Sequence, residues 1–302
     1  MKKIYILILI LFLLTVSIFA AGIYFLGDFS FGNKIAIVYL NGPIYYDYSE
    51  DNSIFPTEKK DARYYIKLLN KLREDNSVKG VLLVVNSPGG EVVASEDLAN
   101  AVKKLREKKP VVVYVETLDA SGAYMVSAPA NYIVAHRDSI VGSIGVRMDI
   151  VHYYGLMKKL GINVTVIKAG KYKDIGSPYR PMTPEEKRYL QKLINETYIY
   201  FVKWVAENRN LSLNYTFEIA DGKIYSGEDA VKVGLVDEVG DKEKALKILE
   251  KLANVSNPSI EEYGLESSSG LFGLKTLMYY LGLGIGNGIG EVLVKNEKIR
   301  LY

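Results

Sequence analysis

The sequence predicts an α/β domain on a largely parallel sheet, preceded by one membrane-spanning helix. Three observations predict it. Short unbroken apolar runs alternate with amphipathic helical stretches, as expected for strands buried on both faces by crossover helices. An uncharged stretch, "IYILILILFLLTVSIFAAGIYFL" from Ile4 to Leu26, follows Lys2 and Lys3. As a helix it would reach roughly 35 Å, enough for a hydrocarbon core of about 30 Å. The composition is that of a mostly globular chain, with 302 residues, 49% hydrophobic and 24% charged.

The lysines ahead of the apolar stretch favour a cytoplasmic N-terminus and a domain outside the cytoplasm. A cleaved signal peptide would have a shorter apolar region. "FAAG" (Phe19–Gly22) offers small residues, but apolar sequence continues past it. Residues 1–27 are therefore read as an uncleaved anchor in the cell membrane. Five Asn-x-Ser/Thr sequons follow, at Asn163, Asn195, Asn210, Asn214 and Asn254. They fit an exported domain, and equally an ordinary polar surface.

The elements of the domain, residues 28–264, follow in order. "KIAIVYL" (Lys34–Leu40) reads as a first strand, and Asn41–Pro56 as turn-rich. Lys59–Arg73 has helical spacing through Tyr64, Ile66, Leu68, Leu69 and Leu72. "GVLLVV" (Gly80–Val85) is a buried strand ending in "NSPGG", Asn86–Gly90. A helix from about Ala94 to Glu107 leads to the strand "PVVVYVE", Pro110–Glu116, after which Ser121 opens a helix. "YIVAH" (Tyr132–His136) is a short strand and "GSIGV" (Gly142–Val146) a turn. Ile150–Leu160 reads as helix, "NVTVIK" (Asn163–Lys168) as strand and Ala169–Pro181 as loop. Thr183 then caps a long amphipathic helix, with Pro184 in its first turn and Glu186 completing a capping box. A smaller α/β unit runs from Phe217 to Leu252. Residues 265–302 form an apolar, glycine-rich tail whose alternating glycines never satisfy a dinucleotide fingerprint.

Composition excludes several chemistries. The absence of cysteine removes disulfides, thiol catalysis and thiolate metal sites. Two histidines, His136 and His152, argue against a histidine-built metal site. A net charge of +3 with mixed signs gives no electrostatic footprint for nucleic acid.

Three features carry chemistry. Ser121 follows a buried strand at a helix N-terminus, where free N–H groups and the helix dipole favour an oxyanion. A serine there is more often a helix cap than a catalyst. "SPGG" lies at another strand end, and its glycines let the backbone approach a ligand. A base is needed, and a neutral lysine can replace histidine. The loop "GKYKD" offers Lys171 and Lys173, between which the residues alone do not choose.

"NSPGG", "ASGAY", "VGSIGV" and "AGKYKDIGSPYRPMTPEE" occur in that order between about Ile35 and Val239. With them the chain resembles the signal peptide peptidase A (SppA) family of membrane-bound Ser/Lys peptidases, in its short, single-domain form. The resemblance implies a crotonase/Clp-protease-like fold and a homo-oligomeric ring. It implies Ser121 as nucleophile, Lys173 as general base and Ser143 as the residue that orients the amine. The backbone N–H groups of Gly90 and Gly122 would form the oxyanion hole, with no cofactor or metal. Ala123 stands where the family motif has a second glycine. In short members the lysine reaches the serine of a neighbouring subunit. The implied substrates are remnant signal peptides and other small or unfolded peptides. Rival readings are a stomatin-associated Ser/Lys protease, a crotonase-type acyl-CoA enzyme and a catalytically inactive membrane scaffold.

Overall fold

The computed structural model of the chain describes residues 12–17, 33–49 and 60–265. Its centre is a sheet in the order β6-β5-β3-β2-β1-β8, with β4 pairing β3 and β7. The strands are β1 (Lys34–Asn41), β2 (Val78–Ser87), β3 (Val111–Ala120), β4 (Tyr132–Ala135), β5 (Ile140–Gly142), β6 (Ile224–Ser226), β7 (Glu238–Val239) and β8 (Ser259–Tyr263). Every pairing is parallel except β5 with β6.

The unbroken apolar runs follow from this placement. Alternate residues of β1, β2 and β3 enter two different cores. Val38, Leu83 and Val113 pack beneath α1 (Ala62–Glu74) and α2 (Val92–Arg106). Ile37, Leu82 and Val112 pack against Ala245 and Leu249 of α8 (Lys242–Leu252) on the opposite face. With both faces covered, the central positions of these strands are apolar on either side. β3 forks along its length. Val112–Val115 pairs with β4, and Leu118–Ala120 pairs with β5. This carries β3 four residues beyond the expected end at Glu116, directly to Ser121.

Helix α3 (Gly122–Ser127) leaves β3 with no intervening loop. It is fully buried and is tied down at two points. Trp204 Nε1 donates to Met125 O at 2.9 Å, and Tyr124 Oη donates to Leu235 O at 2.7 Å. Trp204 belongs to α5 (Pro184–Arg209), the long helix expected from the capping box. The box is present, with Glu186 N donating to Thr183 Oγ1 at 3.2 Å and Thr183 N to Glu186 Oε2 at 2.9 Å.

Four expectations need correction. The helix expected from Lys59 starts at Ala62, because Asp61 accepts from Tyr64 N and caps it. The helix expected over Ile150–Leu160 is only α4 (Tyr154–Lys159), which buries none of its residues. Asn163–Lys168 is no strand. Val164, Val166 and Ile167 are 45%, 46% and 95% exposed, and no neighbouring strand offers them a ladder. The stretch from Phe217 to Leu252 is no separate unit, since β6 and β7 join the main sheet through β5 and β4. It contains α7 (Gly227–Lys232) and begins within α6 (Leu213–Ile219). β8, which pairs β1, was not expected.

Among the described residues no helix is long and apolar enough to cross a membrane. Residues 12–17 are helical; the rest of the expected anchor, and the tail beyond Leu265, lie outside the described residues.

Candidate active site

Ser121 sits in a sharp turn from β3 into α3. Its backbone has φ 56° and ψ −124°, and its side chain makes no capping hydrogen bond. A residue with a Cβ rarely adopts such dihedrals, which cost on the order of 1–3 kcal/mol and persist only where the surroundings enforce them. Here they are enforced from both sides: Ser121 N donates to Gly142 O at 2.8 Å, and Met125 N donates to Ser121 O at 3.1 Å. The cap-serine reading therefore fails, because the hydroxyl accepts from no N–H of the helix it precedes.

The "SPGG" turn at the end of β2 packs onto the same spot. Gly89 has φ +85°, and a Cβ there would meet Ala120 O and Gly122 N, each at 2.6 Å. A Cβ on Gly122 would meet Ser95 Oγ at 2.2 Å and lie 3.3 Å from Gly90 N. The backbone of Gly89 and Gly90 thus lies close against Ser121 and Gly122. Neither the Gly90 nor the Gly122 N–H donates to another backbone group among the described residues. That pair is suited to an oxyanion, which needs two fixed donors at once.

Ser143 follows β5, which pairs the end of β3. It too has a positive φ of 49°, and its N–H donates to Lys223 O at 2.9 Å. Gly90, Ser121, Gly122 and Ser143 line one cavity of about 490 Å³. Helix α5 supplies the facing wall through Ile194, Tyr198 and Phe201, with Gln191 and Asn195 beside them. The sequence marked this helix only as long and amphipathic. Its helical spacing gave no sign that the exposed half of the helix overlooks the serine.

Lys173 is not among the residues lining this cavity. It lies in an exposed turn, its N–H donating to Gly170 O at 3.3 Å. The loop that carries it is nevertheless fixed. Arg180 donates to Asp174 Oδ2 at 2.8 Å and to Glu186 Oε1 at 2.5 Å, and Lys168 pairs with Asp174. Arg180, then Lys168, hold the Asp174 carboxyl well below the usual range, and Arg180 pulls Glu186 down to about 2. Because Glu186 also closes the capping box, the lysine loop is fastened to the first turn of α5. Lys171 Nζ pairs with Glu185 Oε1 at 2.6 Å, which raises its pKa and keeps it a cation. Lys173 has no side-chain partner among the described residues. Among the described residues Lys171 is thus held in an ion pair and Lys173 is not.

The comparisons with known proteins bear on this geometry. The model of peptidase family S49 matches residues 103–256, which include β3, Ser121, Ser143 and Lys173. The chain belongs to peptidase family S49. Within the family it is 71% identical to a Methanocaldococcus jannaschii chain named as a protease, over 99% of this chain and 97% of that one. It is 38% identical to an Enterococcus faecium chain named as signal peptide peptidase SppA, over 76% of this chain and 67% of that one. Protease 4 of Haemophilus influenzae is 32% identical over 78% of this chain and 37% of its own length. The S49 chain is thus a protease of the SppA type. Among solved structures it is similar to a membrane-bound stomatin-specific protease, at a TM-score of 0.48 and 15% identity over 78% of this chain and 99% of that one. It is also similar to a Clp protease subunit of Listeria monocytogenes, at a TM-score of 0.45 and 16% identity over 70% of this chain and 94% of that one.

Proposed function

We propose that the chain is a membrane-anchored serine endopeptidase that hydrolyses remnant signal peptides and other small or unfolded peptides with a Ser/Lys dyad. The observation that carries this reading is Ser121, held at a positive φ beside Gly90, Gly122 and Ser143, with its hydroxyl and the two glycine N–H groups free of partners among the described residues. Its base is Lys173, brought from a neighbouring copy of the chain. Two facts support that route: the lysine lies outside its own chain's cavity, and the segment carrying it exposes unpartnered apolar side chains.

The steps follow from the residues. Neutral Lys173 takes the Ser121 proton as Oγ attacks the scissile carbonyl. The carbonyl oxygen becomes an oxyanion held by the N–H groups of Gly90 and Gly122, each contributing about 3 kcal/mol. Ser143 keeps the amine aimed at Oγ. The lysine then gives its proton to the leaving amine, and an acyl-enzyme remains. Water attacks that ester, losing a proton to the lysine, which returns it to Ser121. No cofactor enters. The facing wall of Ile194, Tyr198 and Phe201 suits apolar substrate side chains, as signal peptides would present. The anchor of residues 1–27 would hold the active site near peptides left in the bilayer, outside the cytoplasm.

The test is cleavage of a fluorogenic apolar peptide by the full-length chain. Ser121→Ala and Lys173→Ala should each lower kcat/KM by about 10⁴-fold, while Lys171→Ala stays within a few-fold of the parent. Parent-level activity in Lys173→Ala would reject the base assignment.

A further inference from the structure

Among the described residues, four buried side-chain oxygens lack a hydrogen-bond partner: Ser95 Oγ, Ser127 Oγ and both carboxyl oxygens of Asp119. All of them flank α3, the helix that begins at Ser121. Ser95 packs on Gly122, Ser127 ends the helix and Asp119 comes two residues before the nucleophile. Buried polar groups are nearly always paired, and a cluster of exceptions calls for a physical role.

Asp119 is the most demanding of the three. It is fully buried and lies between Ser87 of β2 and Val141 of β5 in the sheet. An ionised carboxyl in such a place needs a cation or several donors. Neither neighbouring strand position supplies one: Ser87 Oγ accepts from Gly89 N at 3.2 Å and makes no hydrogen bond to Asp119, and Val141 is apolar. From α3, Ser127 Oγ faces the carboxyl without closing a hydrogen bond, and Tyr124 is the titratable side chain its charge reaches. Arg209 and Asp237 act on Tyr124 from its other neighbours, but no cation acts on Asp119 among the described residues.

We propose that Asp119 is a positioning residue that works as a neutral carboxylic acid, an uncharged side chain packed beside Ser127 that leaves α3, and so Ser121 and Gly122, in place. The Ser127 hydroxyl can donate to either form and by itself favours the carboxylate, but one hydroxyl and no cation leave a buried carboxylate short of donors, whereas the neutral acid carries no charge to compensate. Ionisation would place an unpaired charge beneath the oxyanion hole. It would loosen the fixed turn at Ser121 and oppose the negative charge that forms on the substrate. Burial, the larger influence, pushes the carboxyl up to about 7 from its ordinary 3.8, with Ser127 acting in the other direction.

This inference rests on the peptidase reading, and the experiment separates the two. Asp119→Asn keeps the shape and cannot ionise. The kcat/KM of full-length Asp119→Asn divided by that of the wild type is measured against pH, together with melting temperatures. The lysine contributes equally to both proteins, so the ratio isolates Asp119. It should be constant below about pH 7 and rise by up to about tenfold per pH unit above it. The stability sign is fixed by the raised value. The folded state holds a proton that the unfolded chain loses near 3.8, so this contribution is complete below 3.8 and lost as pH rises through about 7. The wild type should therefore lose melting temperature over that window relative to Asp119→Asn. A ratio that is flat with pH, with parallel melting curves, would overturn the proposal and leave Asp119 a packing residue. If neither protein cleaves peptide, the peptidase reading fails, and the melting curves still decide the state of Asp119. Should Asp119→Asn not fold, infrared titration of the wild type decides. A protonated-carboxyl band must persist after exposed carboxylates have ionised, and its absence would overturn the proposal.

Discussion

The two halves of the candidate site are built in opposite ways. The half that carries Ser121 is the end of a central strand, enclosed by β2 and β5 and roofed by α5. The half that carries Lys173 belongs to the stretch between β5 and α5, where α4 buries nothing and Ile167 is 95% exposed. One half is positioned by the hydrophobic interior, the other by salt bridges to the cap of α5. The difference teaches where each half gets its precision. A nucleophile at strained dihedrals needs surroundings that do not yield. A base delivered to another copy needs an exposed carrier, fixed locally but not absorbed into its own core.

Three substitutions would break or sharpen this contrast. The largest effect is expected in the interior. Leu82→Ala removes a fully buried side chain between the sheet and α8, and should cost about 2–5 kcal/mol in denaturant unfolding. A smaller effect is expected at Arg180. Arg180→Ala frees the loop from Asp174 and Glu186, and displacement of the lysine by an ångström should lower kcat/KM by about 10²-fold. Ser121 would be untouched in that variant, so its labelling by a serine-directed phosphonate should fall along with turnover if the lysine is what activates it. The smallest effect is expected at Ile167. Ile167→Ala should shift the unfolding free energy of the isolated chain by no more than about 0.5 kcal/mol. A larger loss in the assembled protein would show that another copy covers this side chain.

Much of the interior was legible because its rules are local. Apolar runs such as "GVLLVV" and "PVVVYVE" are buried on both faces and can be little else, and the capping box at Thr183 fixes a helix start by itself. "NVTVIK" misled because its β-branched residues look the same whether or not a strand lies beside them. Local pattern cannot reveal whether a partner exists. The end of β8 pairs Tyr263 with Val38, more than two hundred residues away in sequence, and nothing in "SIEEY" signals that. At the site, Ser121 and the "SPGG" glycines were visible as residues at strand ends. Its positive φ, the burial of Asp119 and the α5 wall came only from long-range packing. The sequence left two lysines open, and only the fold shows that Lys171 is paired with Glu185.

The central claim is that Ser121 of one copy is activated by Lys173 of another. It is tested most directly by mixing two inactive full-length variants, Ser121→Ala and Lys173→Ala, under conditions that let subunits exchange. The account predicts that peptide cleavage returns, because sites then form with an intact serine from one chain and an intact lysine from the other. Proven co-assembly with no return of cleavage would contradict it and place the base within the same chain as its serine.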